Sequence, residues 1–103
     1  MQDRLSQLLK LVSVDPADTF VLYGVAQEYA KRGETEKAVA WYDRCIATDP
    51  NYCYAYFHKA KALESADRIA EAIAVLRTGL DRARAARDQH AASEIAAYLD
   101  ELT

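Results

Sequence analysis

The sequence is poor in residues that interrupt or cross-link a chain. Its 103 residues include three glycines, two prolines and two cysteines. Because glycine and proline are scarce while alanine and leucine are abundant, the composition favours an all-helical protein. Cys45 and Cys53 form neither a CxxC pair nor a metal-ligand spacing, so we expect no disulfide framework and no metal site. A reducing compartment, and hence a cytoplasmic location, is the expectation.

The chain also lacks a positive net charge and a long apolar run. Its formal net charge is -3, which argues against a surface that neutralises a phosphate backbone. Asp81 and Asp88 are interspersed with arginines at positions 77, 82, 84 and 87, which indicates a solvated helix end. No segment reaches the roughly 20 apolar residues of a membrane-spanning helix. Asp3 and Arg4 argue against a secretion signal. We therefore expect neither a nucleic-acid nor a membrane partner.

What the sequence does contain is an internal repeat with a period of 34 residues. Shifting the chain by this length superimposes residues of similar kind: Leu22 on Tyr56, Ala26 on Ala60, Tyr29 on Leu63, Ala38 on Ala72, Tyr42 on Leu76, Ile46 on Leu80 and Pro16 on Pro50. This period is typical of a helix–turn–helix unit that buries its apolar face only by stacking on neighbours. The repeat predicts a helical solenoid and argues against an enzyme.

Apolar spacing and helix-breaking residues predict six helices, over about 2–13, 18–32, 35–48, 53–65, 69–86 and 89–102. Asp15-Pro16 ends the first helix, since the residue before proline avoids the helical region, and we expect Asp15 to cap the second, with Pro16 in its first turn. Gly33 follows the second helix. Arg84 stands where a third proline would fall, so the fifth helix should continue to about Ala86.

The predicted helices each carry one apolar stripe for the core. The stripe residues are Leu5, Leu8, Leu9 and Val12; Leu22, Val25, Ala26 and Tyr29; Ala38, Val39, Tyr42, Cys45 and Ile46; Tyr56, Ala60 and Leu63; and Ala72, Ile73, Leu76 and Leu80. The last helix repeats the pattern of the second if two residues are inserted before it. Ala92, Ile95, Ala96 and Leu99 then become buried.

This organisation predicts a single domain over residues 1–103. It comprises an N-terminal helix (1–15), two repeats (18–51 and 52–86) and a C-terminal helix (88–103). The two single helices would cap the stack, as the ends of a solenoid require.

These residues resemble the tetratricopeptide repeat. The first unit carries the family's pattern in Leu22, Val25-Ala26, Tyr29, the turn Gly33-Glu34, Ala38, Tyr42, Cys45 and Asp49-Pro50-Asn51. The second unit departs from it: Lys59 stands in an apolar place, Asp67 replaces the turn glycine, and the closing proline is missing. The resemblance implies an all-α, right-handed α-α superhelix of about six antiparallel helices. Ala26 and Ala60 should lie where helices cross too closely for more than a methyl group.

The resemblance also implies that the first helix of each unit lines a concave groove. The candidate partner-binding residues are Phe20, Tyr23, Gln27, Lys31, Tyr54, Phe57, Lys61 and His90. Aromatic side chains dominate binding hot spots, and the lysines favour a carboxylate. We expect a non-catalytic module that binds an apolar peptide or helical segment bearing a carboxylate. Alternatively, Tyr54 and Phe57 only fill space against the last helix; Tyr52 and Tyr56 are assigned to packing.

Two more specific functions are disfavoured. Some family members hold the acidic C-terminus of heat-shock chaperones with a clamp of Lys, Asn and Arg, but the matching places here hold Tyr23, Gln27, His58, His90 and Glu94. A catalytic site is not expected either, since His90 and Glu94 lack an HExxH motif. Asp88, His90 and Ser93 on one short helix cannot form a triad. His58, beside Lys59 and Lys61, is expected to be exposed. No cofactor is implied.

An alternative function is self-assembly. Leu5, Leu8, Leu9 and Leu11 make the N-terminal helix more apolar than a cap requires. Leu9 or Leu11 should lie off the main stripe, which would allow a symmetric homodimer through this end.

Overall fold

The computed structural model describes residues 3–103, which form six α-helices and no strand. The helices are α1 (Arg4–Val14), α2 (Thr19–Lys31), α3 (Thr35–Thr48), α4 (Cys53–Ser65), α5 (Ile69–Ala85) and α6 (Gln89–Leu102). The expected all-α fold is confirmed, and α5 continues without a break as the missing proline predicts. The expected start of the first helix at residue 2 lies outside the described residues.

The start of α2 differs from the sequence-based expectation. Asp18 caps this helix: its carboxylate accepts hydrogen bonds from the N–H groups of Phe20 and Val21 at 3.1 and 3.3 Å. The prediction that Asp15 is the cap, with Pro16 in the first turn of α2, is wrong. Asp15 ends α1, and its carboxylate accepts from the N–H of Ala17 at 3.1 Å. Pro16 lies in the turn because Asp18 satisfies the first free N–H groups of α2.

Three helices end on the same backbone turn. Gly33, Asp67 and Arg87 follow α2, α4 and α5 with φ values of 74°, 61° and 59°. In each case the N–H of the next residue donates to a carbonyl oxygen in the last turn of the helix at 2.9–3.0 Å. This is the Schellman arrangement, which favours glycine. Asp67 therefore adopts the conformation of the turn glycine that it replaces, at a cost of about 1 kcal/mol.

The helices stack into a curved solenoid. Each helix packs against the next one along the chain. In addition, α2 contacts α4, and α4 contacts α6. Within residues 3–103, α1, α3 and α5 make no such close backbone contact with one another. The stack is therefore tighter on the side of α2, α4 and α6, which is its inner side. The molecule measures 42 × 29 × 18 Å.

Small residues set the distances between these helices. Ala26 and Ala60 are fully buried, as expected. Gly79, the repeat equivalent of Cys45, lies where α5 meets α4: a Cβ atom there would be 2.6 Å from the Cβ of Tyr56. Most predicted stripe residues are buried, but some at the stripe edges are only half buried: Leu9, Tyr29, Val39, Ile46 and Ile73.

The buried face of α6 is rotated relative to the prediction. Ala91, Ile95 and Tyr98 are buried, whereas Ala92, Ala96 and Leu99 are only half buried. In α2 and α4 the equivalent positions pack against the second helix of the same unit. Because no helix follows α6 within the described chain, that face stays partly open, and α6 buries the side that meets α4 and α5.

Lys59 is accommodated in its apolar place by an ion pair. Only 19% of its side chain is exposed, and its ammonium binds the carboxylate of Asp43 on α3. A lysine can bury its aliphatic stem while its charged end remains paired. This departure from the repeat pattern therefore leaves the stack intact.

The two helical glycines should respond oppositely to alanine. We expect Gly79→Ala to destabilise the fold by about 1–2 kcal/mol, because overpacking against Tyr56 outweighs the gain in helix propensity. Gly24→Ala is the matched control: its Cβ would lie 3.4 Å from the side chain of Leu8, so it should stabilise the fold by about 0.5–1 kcal/mol. Urea unfolding followed by Trp41 fluorescence measures both. Shifts of the midpoint in the same direction would contradict the close packing of α4 on α5.

Candidate binding groove

The inner side of the solenoid carries one open stripe of side chains on each first helix. Residues three and four apart on a helix share a face, and together these stripes are called the groove here. Its residues are Phe20, Tyr23, Gln27 and Lys31 on α2, Tyr54, Phe57, His58 and Lys61 on α4, and His90 and Glu94 on α6. All of them are half buried or exposed.

A chain of polar contacts connects α3, α2 and α4 on the groove floor. The Tyr42 hydroxyl donates to Gln27 Oε1 at 2.6 Å, and Gln27 Nε2 donates to Tyr23 Oη at 3.2 Å. Tyr23 Oη lies 2.7 Å from His58 Nδ1. Since the Tyr23 oxygen accepts from Gln27, its proton is available for Nδ1. Nδ1 accepts this proton in the neutral tautomer that carries its proton on Nε2, and donates to the Tyr23 oxygen in the other tautomer.

His58 is half buried, so the prediction that it is exposed is wrong. Its ring lies edge-on to Tyr23 on the neighbouring repeat, with 5.6 Å between ring centroids. Burial lowers the pKa of His58. The positive charge of Lys61 lowers this pKa further, whereas the hydrogen bond with the Tyr54 carbonyl raises it. Nδ1 lies 3.1 Å from that carbonyl oxygen, but the contact with Tyr23 is shorter. The sequence did not predict His58 as a groove residue, although the comparison with the chaperone-tail clamp placed it at the same set of positions as Tyr23 and Gln27.

The groove aromatics both pack and remain partly open. Tyr23 lies against Tyr52, with 5.3 Å between ring centroids, and burial raises the pKa of Tyr23 to about 12. Phe57 lies 5.2 Å from Tyr98 on α6 and 6.4 Å from Tyr54. Packing against the last helix, the alternative raised for Phe57, is therefore part of its role. Tyr56 is buried, as expected, and its hydroxyl donates to the Pro50 carbonyl at 2.8 Å.

Lys61 is held over two aromatic rings. Its ammonium lies 5.2 Å from the ring centroid of Phe57 and 5.0 Å from that of Tyr98. Cation–π attraction of this kind stabilises a charge without neutralising it. The Tyr98 hydroxyl donates to the carboxylate of Glu64, which fixes the ring under the ammonium. Tyr98 was not predicted in this role, because its burial depends on how α6 is rotated.

An open pocket of about 350 Å³ lies between the C-terminal parts of α2 and α4. Gln27 and His58 form its wall toward the groove, and Lys31 and Lys61 border it. Thr35 and Ser65 also line it, and no carboxylate is among its lining residues. The pocket can therefore offer two cations and several neutral donors to a ligand.

The structure brings six of the eight predicted site residues together and leaves two at the edge. Tyr23, Gln27, Lys31, Tyr54, Phe57 and Lys61 are linked by the contacts above. Phe20 is 69% exposed at the start of α2. The side chain of His90 is 76% exposed and pairs with Glu94 at 2.9 Å. The roles of all eight residues in binding remain predictions.

Among residues 3–103, no three His, Cys, Asp or Glu side chains are grouped to hold a metal ion. None of the described helices combines the length and apolar character needed to cross a membrane.

Comparison with known proteins identifies the family. The model of the TPR repeat matches residues 26–67, and that of the tetratricopeptide repeat matches residues 54–85. A tetratricopeptide repeat domain protein from Salinibacter ruber, solved in solution by NMR, is 33% identical over 85% of this chain and 89% of that one, with a TM-score of 0.78. This chain therefore belongs to the tetratricopeptide repeat family. The tetratricopeptide repeat family is a family of protein–protein interaction modules.

More distant structures share the fold alone. The TPR2B domain of yeast Sti1, in its complex with pHsp70, has a TM-score of 0.86 at 22% identity, covering 95% of this chain and 78% of that one. PcrH, in complex with the chaperone-binding region of PopD, has a TM-score of 0.85 at 19% identity, covering 95% and 74%. The search of curated proteins gave no match.

The lowered pKa of His58 predicts a pH-dependent stability. The folded state binds a proton on this ring less readily than the unfolded chain, whose histidine has the ordinary pKa of 6.5. The stabilisation that neutral His58 gives to the folded state is therefore fully present above pH 6.5 and is lost as the pH falls below that value. We expect the free energy of unfolding to fall between pH 7.5 and pH 5.5 in the wild type.

The matched variants locate that effect. In His58→Asn the amide oxygen takes the place of Nδ1 and does not titrate, so most of the loss should disappear. His90→Asn changes an exposed histidine, and this variant should lose as much unfolding free energy between the two pH values as the wild type. Urea unfolding at the two pH values is the measurement; an equal loss in wild type and His58→Asn would contradict a buried neutral His58.

Proposed function

We propose that this chain is a protein–protein interaction module that holds a peptide or short helical segment of a partner protein in the groove. The observation that carries the proposal is the set of half-open aromatic and polar side chains on α2 and α4. The two hydrophobic cores are filled by residues on the other faces of these helices. The groove side chains thus offer contact surface that the fold only partly uses.

The geometry of the groove supports a bound segment more than a flat protein surface. Curvature toward α2, α4 and α6 leaves an elongated inner surface, and stacked helical repeats commonly bind partners there. The connected side chains of Tyr42, Gln27, Tyr23 and His58 are ordered before any partner arrives. Side chains that are already ordered lose less conformational entropy on binding.

Two structures with the same fold support the choice of a protein ligand. The Sti1 domain is seen with pHsp70 and PcrH with a region of PopD. The ligand of this chain should nevertheless differ from a chaperone tail, because the clamp positions hold Tyr23, Gln27, His58, His90 and Glu94. Tyr23, Gln27 and His58 are already engaged with one another.

We also propose that the chain works in the cytoplasm. Cys45 and Cys53 are both unpaired and buried, and burial raises the pKa of the Cys45 thiol to about 11. Buried thiols of this kind behave as small apolar residues, and unpaired cysteines fit a reducing compartment.

A second candidate function is self-assembly through α1. Leu11 is 50% exposed and Val14 82% exposed, whereas Leu5 and Leu8 are buried and Leu9 packs against the core. Two exposed side chains offer far less than the roughly 800 Å² per partner of a stable interface. We therefore favour the groove. A mass that doubles with concentration in sedimentation experiments, and returns to one chain in Leu11→Glu Val14→Glu, would instead favour self-assembly.

Selection from a random peptide library displayed on phage tests the groove directly. Peptides selected on the wild type should bind Phe20→Ser Tyr54→Ser at least tenfold more weakly in fluorescence polarisation, because exposed aromatics supply much of the energy of such contacts. The control is Leu11→Ser Val14→Ser, which removes exposed apolar side chains outside the groove and should bind like the wild type. Circular dichroism establishes that both variants fold. Peptides lost by the control and kept by the groove variant would refute the proposal.

A further inference from the structure

We infer that the pocket between the C-terminal parts of α2 and α4 binds the carboxylate of a Glu or Asp side chain in the partner's segment. The inference rests on the proposed function and adds the chemical class of one partner residue. It stands on the charge of the pocket, the placement of Lys61 and the course of the groove beyond the pocket.

The charge of the pocket is opposite to that of the protein. The chain has a net charge of -3, yet its pocket carries Lys31 and Lys61 and no lining carboxylate. The Lys31 ammonium lies 3.9 Å from Glu28, whose carboxylate also binds Arg4 at 3.2 Å. One carboxylate shared between two cations leaves a net positive charge beside the pocket. An anionic group is therefore the complementary ligand.

Lys61 is positioned for such a ligand before it binds. Two aromatic rings hold its ammonium, and within the described chain no carboxylate lies within 4.0 Å of it. A partner carboxylate would not have to displace an existing ion pair. Gln27, Thr35 and Ser65 line the same pocket and supply neutral donors, which a carboxylate with two acceptor oxygens can use together with an ammonium.

The course of the groove favours a side chain over a chain end as the source of the carboxylate. The pocket is lined by residues of α2, α3 and α4 and by none of α6, whereas the aromatic surface continues through Phe57 to Tyr98 on α6. A segment that covers this surface passes the pocket and continues, so only a side chain can enter it. A carboxylate would be repelled on the α6 side, where Glu64 and Glu94 lie.

The test uses library peptides that bind the wild type and are lost by Phe20→Ser Tyr54→Ser. We expect these peptides to share a Glu or Asp at one position. Changing that residue to Gln or Asn should weaken binding to the wild type by about tenfold or more, as expected for a charge-assisted hydrogen bond. The same change should alter binding to Lys31→Gln Lys61→Gln by less than about threefold, because its pocket has lost both charges.

Lys37→Gln is the matched control. This lysine also lies over an aromatic ring, 5.5 Å from the centroid of Tyr29, but it does not line the pocket. It should behave like the wild type with both forms of each peptide. Circular dichroism and urea unfolding show whether the variants are equally folded.

The other results separate the two proposals. Groove-dependent peptides without a shared acidic residue, or an equal loss on wild type and Lys31→Gln Lys61→Gln, would overturn the carboxylate site and leave the groove intact. Binding abolished by amidation of the peptide C-terminus, with no effect of the side-chain change, would overturn the side-chain source. A selection without any groove-dependent peptide would overturn both proposals.

Discussion

The close approach of neighbouring helices is the constraint on which the rest of this structure depends. Where helices cross at Ala26 and Ala60 there is room for a methyl group, and at Gly79 there is room only for hydrogen. Larger side chains therefore occupy the remaining faces of the same helices. On α2 and α4 one of those faces joins the cores, and the other opens on the inner side of the solenoid. The positions of the groove residues follow from that division.

The polar chain on the groove floor ties the repeats together at the same place. Tyr42 belongs to α3, Gln27 and Tyr23 to α2, and His58 to α4, so the contacts join both helices of the first unit to the second unit. Among the described residues, no buried side-chain polar atom lacks a partner. A satisfied network of this kind fixes geometry more strictly than apolar packing does. It gives the groove a defined shape, and burial in that place lowers the pKa of His58.

The local features of this fold could be predicted from the sequence, but several long-range features could not. Apolar spacing and helix-breaking residues located the six helices, since these signals act within a single helix or turn. His58 and Tyr98 were misjudged because their surroundings come from other helices: Tyr23 on α2 covers His58, and Tyr98 packs against Phe57 and Glu64 on α4. The ion pair of Lys59 could not be predicted for the same reason, because its partner Asp43 lies on another helix, α3. The candidate residues were found, but their contacts required tertiary structure.

The most direct test of the central claim is a map of amide chemical-shift changes by NMR while a library-selected peptide is added to the labelled chain. The account predicts that the largest changes follow the stripes of α2 and α4, around Tyr23, His58 and Lys61, and extend to the facing side of α6. Helices α1 and α3 should change little on their outer surfaces. Changes concentrated on α1, or on the outer surfaces of α3 and α5, would contradict a binding site on the inner side of the solenoid.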